Sequence, residues 1–250
     1  PLLGRGAFQE VDYRRMFGGV AKQVDEVMLP ERMGQIVTQA CAAARAGTPG
    51  PVVVVLPEDV LSEPCAETAM GLLGQVQSAP ADRQIDAVAV RLAQAQRPVL
   101  LVGGESRGAD FRDALLRFSE AWQLPVAVTN KNQDLFANAH PNWIGHLGFF
   151  VSPSLSALLV QADLVLAVGT RLGDVTSQGY TFPRQGAQRQ PLIHVYPDAA
   201  PLARHFRTDH AIVCGAHAFV QAMTRSAVPA LPARDDWLAE VAKARVLAHG

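Results

Sequence analysis

Apolar residues along this chain fall into two recurring patterns. Short runs made mostly of valine, leucine, isoleucine and alanine occupy residues 52–56, 98–102, 125–128, 164–168, 192–195 and 211–213, with Pro98, Pro125 and His194 the exceptions. Runs of this length without polar alternation suit strands buried on both faces of a parallel sheet. Elsewhere the apolar positions recur every three or four residues. Ile85, Val88, Ala89 and Leu92 form one such stripe, and Phe111, Leu115, Phe118 and Trp122 a second. Leu155, Leu158, Leu159 and Ala162 form a third, and Phe219, Val220 and Met223 a fourth. Each predicts an amphipathic helix. Residues 31–46 add another, opened by Pro30 and closed by Gly47, as the positional preferences of proline and glycine lead one to expect. Strands alternating with helices predict an α/β fold, a doubly wound, mostly parallel, Rossmann-like sheet with right-handed crossovers.

The same pattern divides the chain. The alternation from residue 83 to 227 is a complete sheet. Before it, residues 1–60 read as loop, helix, strand, helix, strand, and two strands cannot make an independent α/β layer. That segment reads as the incomplete C-terminal part of another α/β domain. Residues 61–82 carry Pro64 and Pro80 and no sustained period, and read as a linker. Pro229 and Pro232 mark a further break, after which Trp237, Val241 and Ala244 share one helical face. Residues 228–250 are therefore expected to be a linker and a helix leading onward. The chain begins with Pro1 rather than methionine, and the expectation is a piece of a longer protein.

Composition narrows the class. The 250 residues hold 22 basic and 23 acidic side chains, a formal net charge of −1, and 49% hydrophobic residues. A soluble globular protein is expected, with no basic field for nucleic acid. No apolar run approaches the roughly 18 residues of a membrane helix, and no secretory leader is visible, so no membrane partner is expected. Cys41, Cys65 and Cys214 stand far apart without CxxC spacing. That spacing points to a cytoplasmic location and away from a disulfide framework or cysteine-rich zinc site.

In an open parallel sheet, ligands bind beyond the carboxyl ends of the strands. Here those ends carry Gly103-Gly104-Glu105, Thr129-Asn130-Lys131, Gly169-Thr170-Arg171, Pro197-Asp198 and Gly215. Gly103, Gly104, Thr129, Gly169 and Arg171 are the candidate nucleotide-binding residues. The turn from Gly103 to Gly108 is neither GxGxxG nor a P-loop, and Asp110 lies too early to be a ribose-binding carboxylate. NAD-dehydrogenase chemistry is disfavoured. His140 and His146 are six residues apart with no clustered carboxylates, a poor spacing for metal ligands. No metal site is expected in this chain.

Several segments taken in order resemble the acetolactate-synthase-like thiamine-diphosphate-dependent enzymes. They are Gly6-Ala7-Phe8-Gln9-Glu10 with Phe17, Ala21 and Lys22, then Ala46-Gly47-Thr48-Pro49-Gly50-Pro51 running into Pro57-Glu58-Asp59. Arg97-Pro98, Gly103-Gly104, Leu124-Pro125, His146-Leu147-Gly148 and Gly169-Thr170-Arg171-Leu172 follow. The resemblance implies residues 1–60 as the end of a pyrimidine-binding domain and 83–227 as the family's central domain. It implies a thiamine-diphosphate lyase or transferase that decarboxylates or ligates 2-oxo acids, with Mg2+ as second cofactor. The thiazolium adds to the oxo acid and serves as electron sink. Such enzymes resemble dimers or tetramers, so self-association is implied. Phe8, Gln9 and Lys22 would line the active site or its entrance. The catalytic glutamate and the GDG…N magnesium motif have no counterpart here, so the 250 residues alone are expected to be inactive.

The central domain of acetolactate synthases carries FAD, and here this sequence departs from the family. Tyr196 stands at an acidic position, Gly215-Ala216 replaces a Gly-Asp pair, and Phe149-Phe150-Val151 follows the Leu-Gly turn in place of His-Gly. Without those carboxylates the ribose and adenine lose hydrogen-bond partners, which argues against FAD. A stand-alone Rossmann-like nucleotide-binding module without catalysis remains an alternative, as does a purely structural domain.

Overall fold

The computed structural model describes residues 4–8, 10–66, 71, 74 and 78–249. By its internal contacts the chain divides into two units, Pro1–Gln77 and Ser78–Gly250. Of the stretch read as a linker, residues 67–70, 72–73 and 75–77 lie outside the described residues.

In the first unit, Asp12 opens α1 (Tyr13–Phe17) by accepting the Arg15 amide. Strand β1 (Gln23–Glu26) leads through Pro30 into α2 (Met33–Arg45), and β2 (Val52–Val55) is followed by α3 (Glu58–Ser62). The two strands pair in parallel, Gln23 opposite Val52 and Glu26 opposite Val55. Val27, Ile36 and Val60 form a small core with Met33 and Val54 packed against it. The valine run of β2 reads as a strand buried on both faces. In the structure each of its four residues is only half-buried, because a two-stranded sheet gives each residue few neighbours.

The second unit contains α4 (Asp82–Gln94), β3 (Pro98–Val102), α5 (Ala109–Ala121), β4 (Val126–Thr129) and β5 (Trp143–Leu147). It continues with α6 (Pro153–Val160), β6 (Leu164–Val168), β7 (Leu192–Tyr196), β8 (His210–Val213), α7 (Ala216–Arg225) and α8 (Asp235–His249). Its six strands lie in the order β5-β4-β3-β6-β7-β8, every neighbouring pair parallel. The chain winds outward from β3 to β5, returns beside β3 as β6, and winds outward again. This is the doubly wound α/β arrangement, with its switch in strand order between β3 and β6.

Period-two alternation explains why unbroken apolar runs were needed. Leu100, Val102, Val126, Val128, Leu166 and Val168 enter the core that α4, α5 and α7 cover. Their neighbours Val99, Leu101, Ala127, Val165 and Ala167 enter the other core, beneath α6 and α8. Both faces are sealed. Strand β5 departs from expectation: residues 140–148 read as a polar, aromatic loop. Trp143, Ile144 and Leu147 are nonetheless buried, and Gly145 and His146 between them mask the run.

In the C-terminal tail, α8 packs onto the second unit, with Trp237 and Val241 buried in the core beneath α6. Trp237 Nε1 donates to the Pro98 carbonyl at 3.1 Å, and Arg97 lies over the indole at 5.8 Å. Just ahead, Arg234 is 2% exposed. Its guanidinium donates to the carbonyls of Leu92, Ala95 and Trp122, where α4 and α5 end. A cation at two helix C-termini is favourably placed against their dipoles. Arg234, Trp237 and Val241 thus belong to the second unit's packing.

Among the described residues, no helix is long and apolar enough to cross a membrane.

Candidate functional site

The carboxyl ends of the strands bring five sequence candidates to one edge of the second unit. Gly103 follows β3, Thr129 ends β4, and Gly169 and Arg171 follow β6. The glycines at these ends are needed for close approach. A Cβ on Gly103 would run into the Gly169 carbonyl and the Thr170 backbone, and one on Gly104 into the Asn132 side chain. Gly169, at φ +67°, would place a Cβ 3.1 Å from that of Ala216 and 3.3 Å from that of Glu105. These glycines let parts of the chain approach one another. The turns after β3 and β6 therefore meet closely at the switch point.

Glu105 and Ser106 tie this edge to the start of α7. Glu105 Oε2 accepts the Ala216 amide at 2.7 Å and the Ser106 hydroxyl at 2.9 Å, and Ser106 Oγ accepts the His217 amide at 3.1 Å. Ala216 and His217 open α7, whose own N-cap, Gly215, has no side chain to offer. The exposed amides of a helix start are thus satisfied by a carboxylate and a hydroxyl from the β3 turn. Burial and the nearby Glu105 carboxylate push the Cys214 thiol up to about 12, so Cys214 is inert as a nucleophile at neutral pH.

On the other side of β3, Arg107 donates to both oxygens of Asp134, at 3.0 and 3.2 Å, and to the Asn132 side chain. Asn132 in turn donates to Thr129 Oγ1 at 2.6 Å. Thr129 is therefore spent on its own loop. The buried His194 ring lies 2.7 Å from the Thr170 carbonyl, which can only accept, so Nε2 carries the proton. Burial lowers its pKa and outweighs that hydrogen bond, and His194 is a neutral brace for the β6 turn. Arg171 is exposed and makes no ion pair among the described residues. Phe149 and Phe150 are 72% and 91% exposed beyond β5.

On this geometry the strand ends do not fit a nucleotide diphosphate. A phosphate at the start of α7 would meet the Glu105 carboxylate, and the glycine cradle is filled by backbone. Sequence reasoning passed over Glu105, Ser106 and Arg107. The only signal was three polar residues in a turn where a phosphate loop would carry glycine.

The remaining candidates lie in the first unit. Phe8 is 94% exposed, and Gln9 lies outside the described residues. Lys22 Nζ donates to the carbonyls of Ala46 and Thr48 at 2.6 and 2.9 Å, closing the turn after α2. Neither Phe8 nor Lys22 lines the cavity of about 250 Å³ beside β1. That cavity presents Glu10, Asp12, Asp25 and Glu26 against Arg14, an acidic wall ill-suited to an anionic oxo acid. Among the described residues, no three His, Cys, Asp or Glu side chains gather to hold a metal ion. His140 pairs instead with Glu120 at 3.2 Å. The described residues therefore do not furnish a site for Mg2+, and no catalytic step is assigned to them.

Comparison with known proteins bears on what surrounds this geometry. The profile described as the thiamine pyrophosphate enzyme central domain matches residues 85–223. An acetolactate synthase large subunit from Parasynechococcus marenigrum is 32% identical over 220 residues, 85% of this chain and 35% of that protein. One from Corynebacterium glutamicum is 33% identical over 208 residues, 81% of this chain and 33% of that protein. A probable acetolactate synthase large subunit from Methanocaldococcus jannaschii is 28% identical over 221 residues, 85% of this chain and 36% of that protein. The chain spans about a third of the length of these curated relatives.

Proposed function

This chain belongs to the thiamine pyrophosphate enzymes, whose central domain it contains, and from that premise we propose that it serves an acetolactate-synthase-like enzyme acting on 2-oxo acids by decarboxylation, carboligation or both. The observation that carries the reading is the extent of the likeness. Similarity to acetolactate synthases covers 85% of the chain, well beyond the central domain alone. In this reading residues 1–60 close a pyrimidine-binding domain, and Phe8, Gln9 and Lys22 stand near the substrate's path. Lys22 would present its charge there while its turn holds it in place.

The reactive cofactors, thiamine diphosphate and Mg2+, are held by residues other than those described here. The 250 residues by themselves therefore bind thiamine diphosphate weakly and do not turn over a 2-oxo acid. As the family resemblance implies, the working enzyme is a dimer or tetramer. Its setting is a reducing, cytoplasmic one, a reading supported by the three free cysteines.

The test is turnover. The natural polypeptide that carries these residues, supplied with thiamine diphosphate, Mg2+ and a panel of 2-oxo acids, should release CO2 or form a ligated product only when thiamine diphosphate is present. Turnover that is indifferent to thiamine diphosphate would refute the reading. Calorimetry on the 250-residue chain should show no stoichiometric uptake of the cofactor.

A further inference from the structure

The start of α7 lies over Gly169 at the switch in strand order, where a sheet of this topology receives a ligand's phosphate. One amide there points at a carboxylate from the chain itself, and the next at a hydroxyl. Glu105 reaches Ala216 across 111 residues of sequence, at 2.7 Å, and its neighbour Ser106 reaches His217. Nothing local could do this, because Gly215 has no side chain and the first turn of α7 holds no acidic residue. A charge-assisted bond at a helix N-terminus is among the stronger kinds. The glycine contacts tighten the arrangement, since a Cβ on Gly169 would lie within 3.4 Å of Glu105 Cβ, Ala216 Cβ and the Gly103 carbonyl oxygen.

We propose that Glu105 is an internal anion standing where a bound diphosphate would otherwise sit, so that the second unit is a flavin-free scaffold closed at its own switch point. The proposal rests on the geometry of that unit alone, and holds whichever reaction the enzyme performs. An incoming diphosphate would have to displace a carboxylate already bonded to the helix and settle beside its negative charge. In exchange, the tie between the β3 turn and α7 holds together two halves of the sheet that a nucleotide would otherwise bridge.

Three forms of the protein test this: wild type, Glu105→Gln, which keeps an acceptor and loses the charge, and Glu105→Gly, which empties the seat. FAD fluorescence and thermal unfolding are followed with FAD, ADP or inorganic pyrophosphate at millimolar concentration. Wild type should leave FAD fluorescence unquenched and its Tm unmoved by any of the three. Glu105→Gly should melt about 2–4 °C lower, the shift that a loss of about 1 kcal/mol produces in a domain of this size, and pyrophosphate should restore part of the loss. Glu105→Gln should fall between the two. Stoichiometric quenching by wild type would overturn the proposal, as would a wild-type Tm raised by pyrophosphate. So would a Glu105→Gly protein as stable as wild type, or one destabilised yet indifferent to pyrophosphate. Should Glu105→Gly fail to fold, the wild-type titrations and the Glu105→Gln melt still decide.

Discussion

Two apolar strands of this chain, one in each unit, have nearly the same composition and different surroundings. Val52 to Val55 of β2 pair with a single neighbour and stay half-buried throughout. Leu164 to Val168 of β6 pair with β3 on one side and β7 on the other, and all five residues are buried. Strand chemistry alone does not determine burial; the number of covering layers does. The contrast extends to the polar groups. Lys22 in the first unit is exposed and closes one turn, whereas Arg234 in the second is buried and ties down the ends of two helices.

The largest expected effect lies in the aromatic core. Phe118 is fully buried among Phe111, Trp122 and Phe219, and Phe118→Ala should cost about 3–5 kcal/mol in urea unfolding. Val54→Ala in the half-buried β2 should cost about 1 kcal/mol. Equal losses would erase the distinction between the units.

Arg234→Ala comes next. It strips partners from three buried carbonyls, and hydrogen bonds to charged groups are the stronger ones. A loss of about 3 kcal/mol is expected, and Arg234→Lys should recover only part of it, because an ammonium cannot match the guanidinium's fork. A change under about 0.5 kcal/mol would show that the C-terminal tail is not part of the unit. The corresponding change in the first unit, Lys22→Met, should cost below about 1 kcal/mol, as exposed charges do, and thermal melts would detect a larger one.

The smallest effect is a change in pH dependence. Burial lowers the pKa of His194 below its ordinary value. The unfolded chain then binds the proton more readily, and its stability advantage is intact above about pH 6.5, the ordinary value. It drains away as the pH falls from there through the lower folded value. His210 is lowered by burial as well, so His194→Gln should flatten the fall of Tm between neutral and mildly acidic pH without abolishing it. An unchanged slope would mean that His194 is not held neutral.

What could be read from residues alone follows the physics of each feature. The runs at β3, β4 and β6 were legible because strands sealed on both faces need unbroken apolar sequence, and β7 because only His194 interrupts it. The stripe of Trp237, Val241 and Ala244 was legible as a helix, but its destination was not, since periodicity says which face is buried and not against what. Strand β5 escaped because Gly145 and His146 interrupt it. Most of the site's wiring escaped for a different reason. Glu105 and Ala216 are adjacent in space and 111 residues apart in sequence, and a lone carboxylate in a turn announces no partner. The glycines at the strand ends were noticed, but the close approach of the β3 and β6 turns that they allow was not.

The central claim joins a thiamine-diphosphate enzyme to a central domain that has closed its own nucleotide crevice. Its most direct test is CO2 release from 2-oxo acids by the natural polypeptide carrying these residues, purified and assayed with thiamine diphosphate and Mg2+ and with flavin excluded throughout. The account predicts turnover that depends on thiamine diphosphate and is unchanged when FAD is added back. No turnover on any 2-oxo acid, or turnover that appears only with FAD, would contradict it.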